Sequence, residues 1–524
     1  MRDHAGKTWH NVSMKFFKAI ATVAGLTLLS RLAGFVRDIL TAALLGAGPL
    51  ADAFFVALKL PNFFRRISAE GAFTVAFVPV YTGIKEARGQ AAAAQFSAHI
   101  LLLMASILGI FVTLAVLAMP YIVALIAPGF DRESERFAAA VLYCRITFPY
   151  LLLISITAMF GAMLNAHNRF APFAIAPVLF NATLIAAMLT ASWQGWEVAN
   201  ALSFGITLSG IIQLGFMALM VFKNKIQPHY TKFTMSDDVK KVFALMGPGV
   251  LGAGVMHINL FADMIIASFL PVGAISALYY ADRLNQLPLG VVGIAMGTAL
   301  LPMLSTALAK KAQGDAKKLF AQAIEGCIFL ALPSALGLFV LAEVIISVLF
   351  ERGAFDSEST QRAAYCLMGY CIGLVPYVAS KVLSTVYWAN KDTWTPVKIS
   401  MVTTALNIAL SIALIFPFKE AGIALSTGIV GWLQFFLLKR RLKQYEETHL
   451  NTDFIKRIIR LVLSAFIMAG VVYMVSFLLS NFVNDVVLML VAIGSGIITY
   501  ITAVFLLRIY NIRAIKHIFI KPQK

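Results

Sequence analysis

A chain of 524 residues that is 60% hydrophobic and 13% charged, with a mean hydropathy of +0.83, lies outside the soluble globular class, where charged side chains make up roughly 25%. The net charge of +18 would suit nucleic acid, but the basic residues sit in the connections between apolar runs, which excludes that reading. What remains is an all-α polytopic membrane protein, because strand-type alternation is absent and a spanning helix satisfies its own backbone.

Hydropathy marks about fourteen spans. A polar extension over 1–15 leads into a first lobe over 16–224, with spans at 18–46, 51–84, 96–126, 136–165, 172–193 and 197–223. After a linker at 225–237, a second lobe over 238–444 holds spans at 240–270, 275–308, 317–350, 359–388, 395–416 and 420–440. A cytoplasmic linker at 445–455, within the basic connection 439–457, precedes a hairpin over 456–508, with spans at 456–480 and 485–508, and a basic tail over 509–524. No cleavable secretory signal is expected, since the first apolar run is too long for one and carries charge. Met14 would serve as a start as well as Met1. Lys85, Arg88, Lys223, Lys225, Lys310, Lys311 and the run Lys439 to Lys443 fall on one side of consecutive spans, so both termini are expected in the cytoplasm.

The unusual stretch is 30–79, where Arg31, Arg37, Asp38, Asp52, Lys59, Arg65, Arg66 and Glu70 lie inside apolar helices. A charge at the centre of a membrane helix costs roughly 2.5–3.5 kcal/mol, so such a cluster implies a wet, protein-lined cavity. Arg31 and Asp38 are seven apart and share a helix face, as do Ser30 and Arg37; Arg66 and Glu70 are spaced to pair. Structural ion pairs explain any one of these, such as Arg37 with Asp38 or Asp282 with Arg283. They do not explain the group, in which basic residues outnumber acidic ones. Arginine suits bidentate grip on phosphate, which makes a phosphorylated lipid or sugar the leading guest.

Residues 51–84 are too long for one straight span and are expected to kink at Pro61 and Pro79. Each proline frees a carbonyl that then needs another partner. The pattern returns about 223 residues later: Asn62 is echoed by Asn285, Pro79 by Pro302, FPY at 148–150 by VPY at 375–377, and NAHNRFAP at 165–172 by ANKDTWTP at 389–396. Two parallel, pseudo-symmetric six-helix lobes around a central cavity follow, the repeat architecture of secondary transporters. The hairpin has no counterpart; a dimerisation surface, an inert prop and a wall for a long apolar substrate are its three readings.

Other residues carry less. Asn259 and Asp263, with His257, suit a cation or proton relay or an ordinary hydrogen-bonded interior, and Lys381 and Arg145 read as snorkelling cations. Cys144, Cys327, Cys366 and Cys371 are expected to be buried free thiols. No Walker loop, HExxH or GxSxG is present, so no enzymatic chemistry and no cofactor are expected; Na+, H+ or the membrane potential are the candidate driving forces.

In SRLAGFVRD, ADAFFVALKLPNFFRRISAEGAFTVAFVP, YYADRLNQLPLGVVGIAMGTALLP and TPVKI the sequence resembles the MurJ (MviN) family of lipid II flippases, in the superfamily that includes the MATE drug exporters. The resemblance implies a fourteen-helix protein of the bacterial inner membrane that carries undecaprenyl-diphosphate-linked MurNAc-pentapeptide-GlcNAc to the periplasmic leaflet for peptidoglycan synthesis. Matching motifs places the required cavity arginines at Arg31, Arg37, Arg65 and Arg283. The gate and charge partners fall at Ser30, Asp38, Asp52, Arg66, Glu70 and Asp282, and a cation site at Asp263 with Asn259. Gly34, Pro61 and Pro288 are the expected hinges, and the hairpin becomes a groove for the lipid tail. The implied partners are lipid II, the bilayer and the cell-wall synthesis machinery, with no nucleic acid. Three alternatives stand beside this reading: a MATE-like cation exporter, which wants an acidic cavity; a flippase for another lipid-linked oligosaccharide; and a non-transporting cell-wall scaffold, in which the charges would be dispensable.

Overall fold

The computed structural model describes residues 2–65, 73–230, 234–442, 444–448 and 451–509, without side-chain placement at 2–20, 248–257, 260 and 291–299. Arg66, Glu70 and the tail beyond 509 therefore lie outside the described residues, as does the side chain of His257.

The described residues form helices and no sheet, as an apolar chain in a bilayer must. In the first compact unit, Met1–Gly273, the order is α1 (Arg2–Leu45), α2 (Pro49–Arg65), α3 (Thr74–Leu117), α4 (Met119–Ile126), α5 (Glu135–Thr147), α6 (Tyr150–Asn165), α7 (Ala171–Gln194), α8 (Val198–Lys223) and α9 (Asp237–Ser268). In the second, Ala274–Lys524, it is α10 (Ala274–Ala309), α11 (Gln313–Val340), α12 (Ala342–Phe350), α13 (Ser357–Ala389), α14 (Trp394–Leu442), α15 (Thr452–Leu479) and α16 (Asp485–Leu506). Nine helical stretches among the described residues are long and apolar enough to cross a membrane. Two of them are broken rods: α3 turns at Gly89 (φ +84°) and α14 at Lys419 (φ +50°).

Local chemistry sets the ends. Ser134, Ser236, Asp356, Asn451 and Asn484 each accept a backbone N–H three residues on, capping α5, α9, α13, α15 and α16, which satisfies a donor the helix leaves open. At Asp356 the Ser359 hydroxyl and amide hold the carboxyl below its ordinary range.

The internal repeat is visible in backbone geometry. Short helices α4 and α12 start 223 residues apart, after Ala118 (φ −84°, ψ 7°) and Leu341 (φ −100°, ψ 16°). At the same spacing, Asn168 (φ +59°) and Lys391 (φ +63°) close α6 and α13. Beside them Arg169 N–H donates to Leu164 O and Asp392 N–H to Tyr387 O, each at 2.9 Å. Left-handed closure of this kind satisfies the last carbonyls of a helix.

Prolines inside the helices do what their missing N–H requires. The carbonyl four residues before Pro61, that of Ala57, accepts from Thr147 Oγ1 at 3.1 Å. Four residues before Pro376, Ile372 O accepts from Trp432 Nε1 at 2.9 Å. Four before Pro333, Phe329 O accepts from Tyr500 Oη at 2.9 Å. Each kink is thus converted into a polar pin between neighbouring helices; the last holds α16, and with it the α15–α16 hairpin, against α11. A second device is small-residue contact: at the crossing of α13 and α14, a Cβ on Gly428 would stand 2.6 Å from Gly369 O. All four cysteines are buried and free.

Candidate functional site

Helix α1 carries two arginines in opposite circumstances. Arg37 is buried; its Nη2 and Nε donate to Asp38 Oδ1 at 2.6 and 3.1 Å, and its Nη1 to Asn181 Oδ1 at 3.0 Å. Asn181, on α7, returns its amide to Ser30 O and Pro177 O, both at 3.0 Å. The Phe180 ring lies 5.7 Å from the guanidinium carbon. Two charges, an amide and an aromatic face thus form one satisfied group. Arg31, six residues earlier, is exposed and makes no hydrogen bond or ion pair among the described residues. Gly34, between them, is buried within continuous helix.

Helix α2 begins with Asp52, which is wholly buried. It accepts from Gly273 N–H at 2.8 Å and faces Arg136 Nη1 at 3.4 Å. Arg136 Nη2 also reaches Ser268 O at 3.4 Å, with the Phe130 ring 4.0 Å from its guanidinium carbon. Asp52 therefore ties α2 to α5 and to the chain after α9. At the other end of α2, half-buried Arg65 donates from Nε to Asn62 Oδ1 at 3.1 Å, and Asn62 turns its amide back to Leu58 O at 2.8 Å. Pro61 is buried between them. Phe63 packs edge-on to Phe261 of α9 at 4.1 Å. Further along α9, Asn259 Nδ2 approaches Asp263 Oδ2 at 3.4 Å. These two side chains offer oxygen donors suited to a hard monovalent cation, although no cluster of three or more metal-ligating side chains occurs among the described residues.

In the second unit, Asp282 and Arg283 are half-buried on α10. Gln286 donates to Asp282 Oδ2 one turn on, Asn285 is buried, and Pro288 follows half-buried. The expected site residues of α1 and α2 thus divide into an open cation (Arg31), a half-buried one held by its own helix (Arg65) and two buried acid–base groups. Those two groups are completed by Asn181 and Arg136, neither of which the sequence pattern singled out. Asn181 had a signal, since it is a lone amide in an apolar span. Arg136 had none, lying in a mixed connection 84 residues from its partner.

Comparison with known proteins bears on the family and the fold. The family described as Lipid II flippase MurJ matches residues 41–493. A probable lipid II flippase MurJ of Rhizobium meliloti (strain 1021) is 39% identical over 464 residues, covering 88% of this chain and 86% of the relative. Among solved structures, a lipid II flippase MurJ in an inward closed conformation superposes with a TM-score of 0.78 at 26% identity, over 92% of this chain and 98% of that one. An inward-facing MATE-family multidrug transporter of the MOP superfamily shares the fold, with a TM-score of 0.68 at 15% identity over 82% of this chain and all of the other (100%).

Proposed function

We propose, from the premise that the chain belongs to the MurJ family of lipid II flippases, that it carries lipid II across the bilayer by alternating access, with open guanidinium groups meeting the diphosphate. Membership makes it a transporter and not an enzyme. The observation that carries the residue assignment is Arg31: a cation on apolar helix α1, exposed and unpaired among the described residues, while its neighbour Arg37 is neutralised. In hydrocarbon such a charge is costly; beside a diphosphate in a wet cavity it is a charge-assisted hydrogen-bonding clamp.

Arg65 and Arg283 act with Arg31 on the diphosphate, and Arg37 joins when its pair with Asp38 opens. Ser30, Asp52, Arg66, Glu70 and Asp282 adjust that gate, because a desolvated pair is far stronger than a wet one. Gly34, Pro61 and Pro288 absorb the bending, and the α15–α16 hairpin guides the prenyl tail. A monovalent cation or proton drawn to Asp263 and Asn259, or the membrane potential, drives the cycle. The protein sits in the inner membrane with both termini in the cytoplasm, delivering precursor to the cell-wall synthesis machinery. A cation exporter is disfavoured by the basic surplus.

The test is complementation of a strain depleted of this protein by Arg31→Ala and Arg283→Ala chains, scored for growth and for membrane-inserted protein. The expected result is full insertion with no growth. Normal growth with both would overturn the anion-site reading.

A further inference from the structure

Helix α13 is the most buried of the long spans, and between Gln361 and Trp388 the positions it leaves open, Arg362 apart, fall into two stripes. Gln361, Tyr365, Met368, Ile372 and Val375 are open or half-open and, at about 100° per residue, share one face. Tyr370, Tyr377, Lys381, Ser384 and Trp388 are likewise open or half-open and share a sector roughly 170° away. The first stripe is mainly apolar and suits hydrocarbon. The second carries a lysine, two phenols, a hydroxyl and an indole, and is far more polar than the first.

Lys381 is exposed and makes no hydrogen bond or ion pair among the described residues. It lies eight residues before the end of α13 at Ala389, or about 12 Å along the axis. One turn on, Thr385 Oγ1 donates to Lys381 O at 2.9 Å.

We infer that Lys381, flanked by Tyr377, Ser384 and Trp388, is a second anion subsite for the transported headgroup, on a water-exposed face of α13. The inference rests on the flippase reading and deepens it. Its ligand is an oxyanion, which lipid II offers twice, in the diphosphate and in the peptide carboxylates. The aromatic rings beside the ammonium present flat faces against which a polar, ring-bearing headgroup packs.

Two measurements on the full chain test it. In the first, Lys381→Cys and Ile372→Cys are treated in native membranes with a membrane-impermeant, charged thiol reagent; the native cysteines are all buried. Lys381→Cys is expected to react and Ile372→Cys to stay unmodified; protection of Lys381→Cys with labelling of Ile372→Cys would overturn the inference. In the second, purified wild type, Lys381→Gln and Lys381→Arg are titrated with lipid II and, separately, with undecaprenyl diphosphate. Lys381→Gln is expected to bind about tenfold more weakly, the loss of one charge-assisted contact, with an unchanged Tm and recovery in Lys381→Arg. Weakening toward both probes assigns the diphosphate; weakening toward lipid II alone assigns a carboxylate. Unchanged affinity of Lys381→Gln for both probes overturns the subsite, whereas wild type that binds neither overturns the flippase reading beneath it.

Discussion

Helices α6 and α13 occupy matching places in the two repeats and treat the same face in opposite ways. An X-Pro-Tyr sequence precedes α6 at Pro149 and kinks α13 from within at Pro376. In α6 the Tyr150 hydroxyl is buried against Gln213 Oε1 at 3.3 Å. Counted from the proline, Lys381 falls opposite Ile154; counted back from the closing loop, it falls opposite Ala158. These lie one helical turn apart, and both are covered, at 6% and 3% exposure. Gly161 completes the seal, because the Phe173 ring lies where a Cβ would be, 2.3 Å away. In α13 the equivalent face carries Tyr377, Lys381, Ser384 and Trp388 and stays open. The repeat therefore kept the kink and changed the use of the surface: one copy is a strut, the other a lining. A shared fold does not distribute function evenly between its halves.

The sharpest way to break this comparison is to exchange the two faces. Ile154→Lys would bury an unpaired ammonium in α6 and is expected to abolish folded protein in the membrane, the penalty for an uncompensated buried charge being several kcal/mol. Lys381→Ile, the reverse exchange, should leave the thermal midpoint unchanged. Equal tolerance of both changes, read from detergent-solubilised Tm and yield, would erase the distinction between strut and lining.

A smaller but still large effect is expected within α1. Asp38→Ala strands the buried Arg37 guanidinium and should cost ~3–5 kcal/mol, seen as a lowered Tm that Arg37→Leu in the same chain largely restores. Failure of that second change to restore stability would mean that Arg37 is not held chiefly by its carboxylate. The smallest effect concerns the proline pins. Thr147→Val removes the donor to Ala57 O and should lower stability by about 1 kcal/mol, while a Val in place of exposed Thr113 should do nothing measurable. Equal Tm values for the two variants would show that the freed carbonyl is otherwise satisfied.

These contrasts also mark how far the amino-acid pattern reaches. Helical class, the duplicated architecture and the charge-bearing first spans follow from hydropathy and spacing alone, because a bilayer leaves the backbone few options. Proline positions foretell that carbonyls at Ala57, Phe329 and Ile372 need new donors. They do not foretell that Thr147, Tyr500 and Trp432 supply them, since those contacts join separate helices. Burial is equally hidden. Arg31 and Arg37 look alike on paper, and only Asn181 and Asp38 folding around one of them tells the two apart. Lys381 reads as a snorkelling cation on paper, and the pattern does not show that α13 leaves two opposite stripes open, one apolar and one polar.

In the proposed cycle, open guanidinium groups move a diphosphate-linked lipid between leaflets. The most direct measurement is the leaflet distribution of the lipid-linked precursor in cells depleted of this protein, probed with an enzyme confined to the periplasmic side. Depletion should leave the precursor inaccessible, the wild-type chain should restore access, and Arg31→Ala should not. Full periplasmic access in depleted cells, or equal rescue by Arg31→Ala, would contradict the account.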